Sequence, residues 1–213
     1  MERSLEWFAQ QREAKPEYST ELYALEADLL GTAGQTDLAL ELMDEALAKE
    51  PEDTSLLYTR AMLMERRGDL ASMEQDLRAI LRDNPDNATA LNALGYTLAN
   101  RTDRYAEALS LISRALELQP GEPAILDSMG WVLFRTGQAK QALGYLQRAY
   151  ARFPDAEVAA HLGEVMWTLG DREGAFEIWR EAYSKQPDHP VLTETLRRLQ
   201  VESLQPAGAD PES

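Results

Sequence analysis

Between residues 87 and 154 the apolar side chains recur at intervals of three and four. Leu91, Leu94 and Leu98 form one stripe, followed by Leu109 and Ile112; Leu126, Met129 and Leu133 form the next, followed by Leu143 and Leu146. Such spacing gathers side chains on one face of an α-helix. Each pair of stripes ends at a proline, Pro120 and Pro154. Proline lacks an amide hydrogen and clashes with the turn before it, so each second helix stops there. The pattern predicts two amphipathic helices per segment, packed on one another.

Residues 121–154 repeat residues 87–120 with different side chains, and the repetition extends over almost the whole chain. The closing prolines are Pro51, Pro85, Pro120, Pro154 and Pro187, spaced 34, 35, 34 and 33. Three small-residue positions keep step with them. The first is Ala27, Ala61, Gly95, Gly130 and Gly163; the second is Ala39, Met73, Ala108, Ala142 and Ala175; the third is Ala46, Ile80, Ala115, Ala149 and Ala182. Small residues are needed where two helices cross at roughly 8–10 Å. Self-similarity at this period is the mark of a stacked repeat architecture.

The four recurring positions resemble the tetratricopeptide repeat family over about residues 18–189. The resemblance implies an all-α fold, a right-handed superhelical solenoid of stacked helix pairs. Its repeats fall at 17–53, 54–87, 88–122, 123–155 and 156–189. The second carries Met73 and Ile80 in place of alanine and is expected to be the least regular, with flexible Met73 filling a wider gap. Gly34, Gly68, Gly137 and Gly170 stand where first helices end and are expected at positive φ. Repeat three has Arg101-Thr102-Asp103-Arg104 there instead, with one extra residue, and a longer polar turn is expected.

The two ends differ from the middle. Residues 4–14 read as a helix, and Pro16 lies 35 before Pro51, so residues 1–16 look like the second half of a repeat without its first half. That arrangement suggests an excised piece of a longer protein with Leu5, Trp7 and Phe8 uncovered; the alternative is a natural capping helix. After Pro187 a further helix over 190–204, with Leu192, Leu196 and Leu199 on one face, is expected to close the array. The tail 205–213 has no apolar anchor and is expected to be disordered.

Charge narrows the partners. The formal net charge is −16, which repels a phosphate backbone and anionic membrane surfaces and so disfavours nucleic acid as a ligand. No apolar run is long enough to span a bilayer. The absence of cysteine excludes disulfides and thiol catalysis and suits cytosol and periplasm alike. The N-terminal segment lacks the continuous apolar core of a signal peptide.

No nucleotide-binding loop, zinc-protease motif or nucleophile elbow is present, so no catalytic residue, metal ligand or cofactor site is assigned, and the chain reads as non-enzymatic. His161 and His189 lie in different repeat contexts without an evident second ligand; His161 reads as a helix-face residue and His189 as a linker residue. Asn87 and Asn100 begin glycosylation sequons but read as helix-start and turn residues.

What remains is a surface. On each first helix, the residues three before, one after and five after the small position share a face turned about 160° from the core leucines, at 100° per residue. The stripe reads Ala24, Asp28 and Thr32; Tyr58, Met62 and Arg66; Asn92, Tyr96 and Asn100; Asp127, Trp131 and Arg135; Ala160, Glu164 and Thr168, with Phe134 and Trp167 flanking it. The family resemblance implies that first helices line the concave side, which makes this stripe the candidate protein-binding groove. Trp, Tyr, Met, Arg and Asn are residue types that recognise peptide. The competing reading is that Tyr96, Trp131 and Phe134 pack between repeats. The stripe has no lysine, and its two arginines are countered by Asp28, Asp127 and Glu164, so a clamp for a terminal carboxylate is disfavoured. Trp179, four residues after Ala175, reads as core.

The segments NALGYTLANRTDRYAEAL, DSMGWVLFRTGQAKQAL and HLGEVMWTLGDREGAFEIW resemble, over Asn92 to about Trp179, the C-terminal part of proteobacterial tetratricopeptide lipoproteins. The type member of that group is an outer-membrane adaptor for a periplasmic carboxyl-terminal-processing protease and its peptidoglycan-hydrolase substrates. That resemblance implies a scaffold or adaptor in the envelope, reaching the membrane only through an upstream lipid anchor that this chain does not carry. Two alternatives stay open: a cytosolic co-chaperone or assembly factor, and the repeat region of a larger enzyme.

Overall fold

The computed structural model describes residues 2–201; the tail 205–213 and the last residues of the expected closing helix lie outside them. The described residues form twelve α-helices and one 3-10 turn, with no strand. The helices are α1 (Glu2–Ala14), α2 (Ser19–Thr32), α3 (Thr36–Lys49), α4 (Thr54–Arg67), α5 (Leu70–Asp83), α6 (Ala88–Arg101), α7 (Tyr105–Leu118), α8 (Pro123–Arg135), α9 (Ala139–Arg152), α10 (Ala156–Thr168), α11 (Arg172–Lys185) and α12 (Pro190–Arg198). They fall into two compact units, Met1–Leu91 and Asn92–Ser213, with the boundary inside α6.

Local chemistry sets the helix ends. Asp53, Asp69, Asp155 and Asp171 each accept a backbone N–H of the following first turn, satisfying donors the helix cannot. Pro123 and Pro190 occupy first-turn positions, where a missing N–H costs nothing. Gly68 closes α4 at φ 82°, its N–H on the Glu65 carbonyl and that of Asp69 on Met64. The other three expected glycines are also at positive φ.

Repeat three meets expectation in part. Its turn is three residues, Thr102–Arg104, no longer than Thr136–Gln138 or Leu169–Asp171. Against α8 and α10, which have 13 residues, the extra residue lengthens the helix to 14; against α4, also of 14 residues but followed only by Gly68–Asp69, it lengthens the turn. No residue there needs positive φ, because the Thr102 hydroxyl accepts the Arg104 N–H and donates to the Leu98 carbonyl at 2.6 Å. The second repeat is also regular. Both of its helices have 14 residues, and Met73 and Ile80 are each 1% exposed, so the larger side chains are simply packed. The closing helix is shorter than expected. It ends at Arg198 because Gln200 adopts φ 56° and Val201 N–H returns to the Leu196 carbonyl.

In the first unit α2 packs against α1, α3 and α4, and α4 against α5. Ala27, Ala39, Met43, Ala61 and Leu77 are fully buried. One cation joins three helices. Arg60 on α4 donates to both oxygens of buried Asp76 on α5 at 2.8 Å, and to Asp44 on α3 at 2.7 Å. Arg12 on α1 likewise reaches buried Glu26 on α2.

In the second unit the small positions are true crossings. A Cβ on Gly95 would stand 2.6 Å from Ile112, one on Gly130 2.5 Å from Leu146, and one on Gly163 2.2 Å from the Trp179 indole. Each glycine therefore seats the large residue of its own second helix. Trp179 is fully buried, as its position implied, within a core of Ala156, Ala159, Ala160, Leu192 and Leu196. Its indole N–H points to the Ala160 carbonyl at 3.4 Å.

Candidate functional site

The stripe residues of the first unit sit on α2 (Ala24, Asp28 and Thr32) and on α4 (Tyr58, Met62 and Arg66). Tyr58 and Met62 are partly exposed, and burial raises the Tyr58 phenol above its usual range. Arg66 is exposed, lies over Gly31 of α2 and faces Asp28 at 3.7 Å, the pairing expected from the sequence.

In the second unit α6, α8 and α10 carry the remainder. The geometry corrects the expected balance of charges. Asp127 does not counter Arg135; both its oxygens lie 3.0 Å from Nδ1 of His161, which donates its N–H to them. Asp127 and His161 are 5% and 1% exposed, so the pair is dry. Burial alone would lower the imidazole pKa, but the charge and hydrogen bond of Asp127, with Glu157 and Glu164 nearby, outweigh it and raise the value. Glu164 is buried as well and is held by Arg198 of α12 at 2.5 Å. Arg135 instead donates to the Tyr105 hydroxyl at 2.7 Å and to the Asn100 carbonyl at 3.5 Å, its guanidinium facing the Tyr105 ring.

The aromatic residues divide into support and surface. Trp131, placed by the sequence at the centre of the groove, is only 7% exposed. It stacks on the His161 ring at 4.1 Å and 20°, with Phe134 at 5.6 Å. It is thus a packing residue resting on an ion pair, as the competing reading held. Its indole N–H and the Asn92 side-chain oxygen have no hydrogen-bond partner. Asn92, Tyr96, Asn100, Phe134, Arg135 and Trp167 remain partly exposed. The Tyr96 hydroxyl reaches Glu157 of α10 at 2.5 Å, and Trp167 lies under the Arg172 guanidinium at 4.2 Å.

Four participants were not among the expected site residues: His161, Glu157, Tyr105 and Arg198. A signal for two of them was available. Asp127 and His161 are 34 residues apart, as are Glu164 and Arg198, so opposite charges stand one repeat apart on first helices. The arrangement holds no nucleophile–base pair. It offers a surface of aromatic, amide and guanidinium groups over carboxylates already bonded within the chain itself.

Comparison with known proteins agrees with the helix pairs. Tetratricopeptide repeat family models match residues 86–155, and residues 25–72 with 128–190. A TPR repeat-containing protein of Pseudomonas aeruginosa is 53% identical over 188 residues, 88% of this chain and 32% of that protein. The chain therefore spans about a third of the length of this curated relative. Among solved structures, the thermophilic TPR protein TTC0263 of Thermus thermophilus superposes with a TM-score of 0.73 at 20% identity, over 85% of this chain and 99% of that one. YrrB, described as a TPR protein with an unusual peptide-binding site, gives a TM-score of 0.55 at 21% identity, over 89% and 97%. Paired helices, small crossing residues at a period near 34 and models matching over half the sequence lead to one assignment: the chain belongs to the tetratricopeptide repeat family.

Proposed function

We propose that this chain is a non-enzymatic adaptor that binds protein partners on the first-helix surface of its second unit. The observation that carries the reading is the layer of carboxylates under that surface, each bonded within the chain. Asp127–His161 and Glu164–Arg198 fix Trp131 and the first helices from below, so Tyr96, Asn92, Phe134, Arg135 and Trp167 are presented by a pre-organised support. Pre-organisation reduces the ordering cost of binding. An extended peptide would lay apolar side chains on the aromatics and offer its backbone to the amides.

The finer reading is an envelope adaptor, acting in the periplasm as part of an outer-membrane lipoprotein. It recruits a carboxyl-terminal-processing protease and its peptidoglycan-hydrolase substrates. The lipoprotein-like segments between Asn92 and Trp179 support it. The test is calorimetric titration of such a protease, and of a hydrolase, into the protein. Phe134→Ala is expected to weaken binding by about 1–2 kcal/mol while melting is unchanged. Glu177→Ala, an exposed second-helix change, is the control. Normal affinity in Phe134→Ala and Tyr96→Ala would move the partner off this surface, and absence of binding by either protein would end the envelope reading.

A further inference from the structure

The second helices carry a charge pattern of their own. Counted from the second small position of a repeat, the residues two before and two, six and ten after it stand four apart and so follow one outward stripe. On α3 they are Asp37, Glu41, Glu45 and Lys49, and on α11 Glu173, Glu177, Glu181 and Lys185. On α9 they are Lys140, Gly144, Arg148 and Arg152. The charge is inverted there. On α3 and α11 the closing lysine bonds the glutamate before it, Glu45 at 2.8 Å and Glu181 at 2.7 Å. Helix α9 carries no carboxylate, and among the described residues Lys140, Arg148 and Arg152 have no ion pair. Arg148 reaches the Pro120 carbonyl at 3.4 Å and the Tyr145 ring at 5.6 Å, neither of which cancels its charge.

The surrounding segment does not supply the missing anions. Residues 123–155 hold four cations against two carboxylates, a net charge of +2 in a chain of −16, and each of the other four repeats is net negative. Both carboxylates are engaged, Asp127 by His161 and Asp155 by the Val158 N–H. Helix α9 packs against α8 and α10, and with both in place Lys140, Gly144, Arg148, Ala151 and Arg152 stay exposed. Nothing lies within 4 Å of where a Cβ on Gly144 would stand, so internal packing does not call for glycine at this helix interior, where it is unfavourable. Between the cations, Gly144 and Ala151 form a low floor on which another helix backbone can close.

We propose that the outward face of α9 is a docking surface for an acidic α-helix of a separate protein. Its carboxylates meet Lys140, Arg148 and Arg152, and its backbone closes on Gly144. The face belongs to a second helix and is apart from the first-helix surface, so either can fail without the other. Charge complementarity selects the occupant, since three unpaired cations favour carboxylates at contact. The overall charge of −16 repels nucleic acid and a second copy of the chain. The acidic stripes that a second copy would offer, on α3 and α11, each already hold a lysine. A short acidic helix escapes most of that repulsion, because exposed charges farther than about 8 Å are largely screened at physiological salt.

The probe is an acetylated peptide of repeated Glu-Ala-Ala-Ala units, helical by its alanine content, beside the same peptide with glutamine for glutamate. In an amide chemical-shift titration of the intact protein at low salt, the acidic peptide shifts α9 saturably, and the glutamine peptide binds about tenfold or more weakly. Changing Arg148→Gln and Arg152→Gln together lowers affinity about tenfold, whereas Arg82→Gln, which removes an exposed cation from α5, leaves it unchanged. Gly144→Phe also weakens binding without lowering the melting temperature, because its site is open in the free protein. Equal affinity in the double variant, equal binding of the two peptides, or shifts confined to other helices overturns the proposal. So does tighter binding of a DNA duplex at the same amides, or a concentration-dependent dimer that the double variant dissolves, which would give the face to nucleic acid or to a second copy.

Discussion

Replacing Gly163 by alanine tests the crossing geometry, because two known effects oppose each other there. In the middle of an exposed helix this change stabilises by about 1 kcal/mol, since alanine restricts the unfolded chain and favours the helix. At Gly163 the added Cβ would stand 2.2 Å from Nε1, 2.5 Å from Cε2 and 2.7 Å from Cδ1 of Trp179. Three atoms of a rigid, fully buried ring are too close together for a side-chain tip to swing aside. Overpacking of this kind costs about 1–3 kcal/mol, and the upper end applies to an indole that cannot flex. The net expectation is a loss of about 2 kcal/mol. Gly144 on α9 supplies the opposite case. It is helical and exposed, with nothing within 4 Å of its would-be Cβ, so Gly144→Ala should stabilise by up to about 1 kcal/mol. Urea unfolding followed by circular dichroism measures both. A cycle with Trp179→Leu adds a check: Leu146 shows that leucine seats on such a crossing, so the Gly163→Ala penalty should shrink in that background. If both alanines stabilise equally, the crossing is looser than described and the packing argument fails.

Three further outcomes follow from the buried charges and rings. His161 has its pKa raised above the ordinary 6.5, so its contribution to stability is full below that value and is lost as pH rises through the folded-state pKa. Urea midpoints should therefore fall on going from about pH 6 to pH 9, with a flatter slope in Asp127→Asn, and equal slopes would show that the pair does not titrate. Trp131→Ala should cost about 3–5 kcal/mol of fold stability, because it removes a buried ring from the His161 stack; a variant that melts like the parent would return Trp131 to the surface. Arg60→Met leaves Asp76 buried without its cation and should cost about 3–5 kcal/mol, most of it recovered by also changing Asp76 to Leu; failure of that rescue would mean Arg60 acts mainly through Asp44.

The helix pairs were legible because their determinants are local. Prolines, aspartate caps and terminal glycines act within a few residues, and the small crossings recur at one period. The turn of repeat three was only partly legible, because counting residues cannot say how an insertion is shared between turn and helix; the Thr102 hydroxyl bonds back to Leu98 and extends the helix end. The candidate surface was half legible. Helical periodicity identified the face bearing Tyr96, Trp131 and Arg135, but depth depends on how neighbouring repeats stack. His161 looked like an ordinary helix-face residue because its partner is 34 positions away and is visible only across the stack. Tyr96 and Glu157, 61 residues apart, met for the same reason.

The links spaced one repeat apart also define a load path through the second unit. A pull on the C-terminal end first strains Arg198–Glu164, whose arginine is 47% exposed and open to screening by salt. Behind it lies Asp127–His161, dry and shielded from the same ions. Resistance to peeling thus rises inward from a soft outer fastener to a hard inner one. Force spectroscopy in rising salt would see α12 release at lower load while the next step holds. Such grading would let α12 yield to a tugging partner without surrendering the surface behind it.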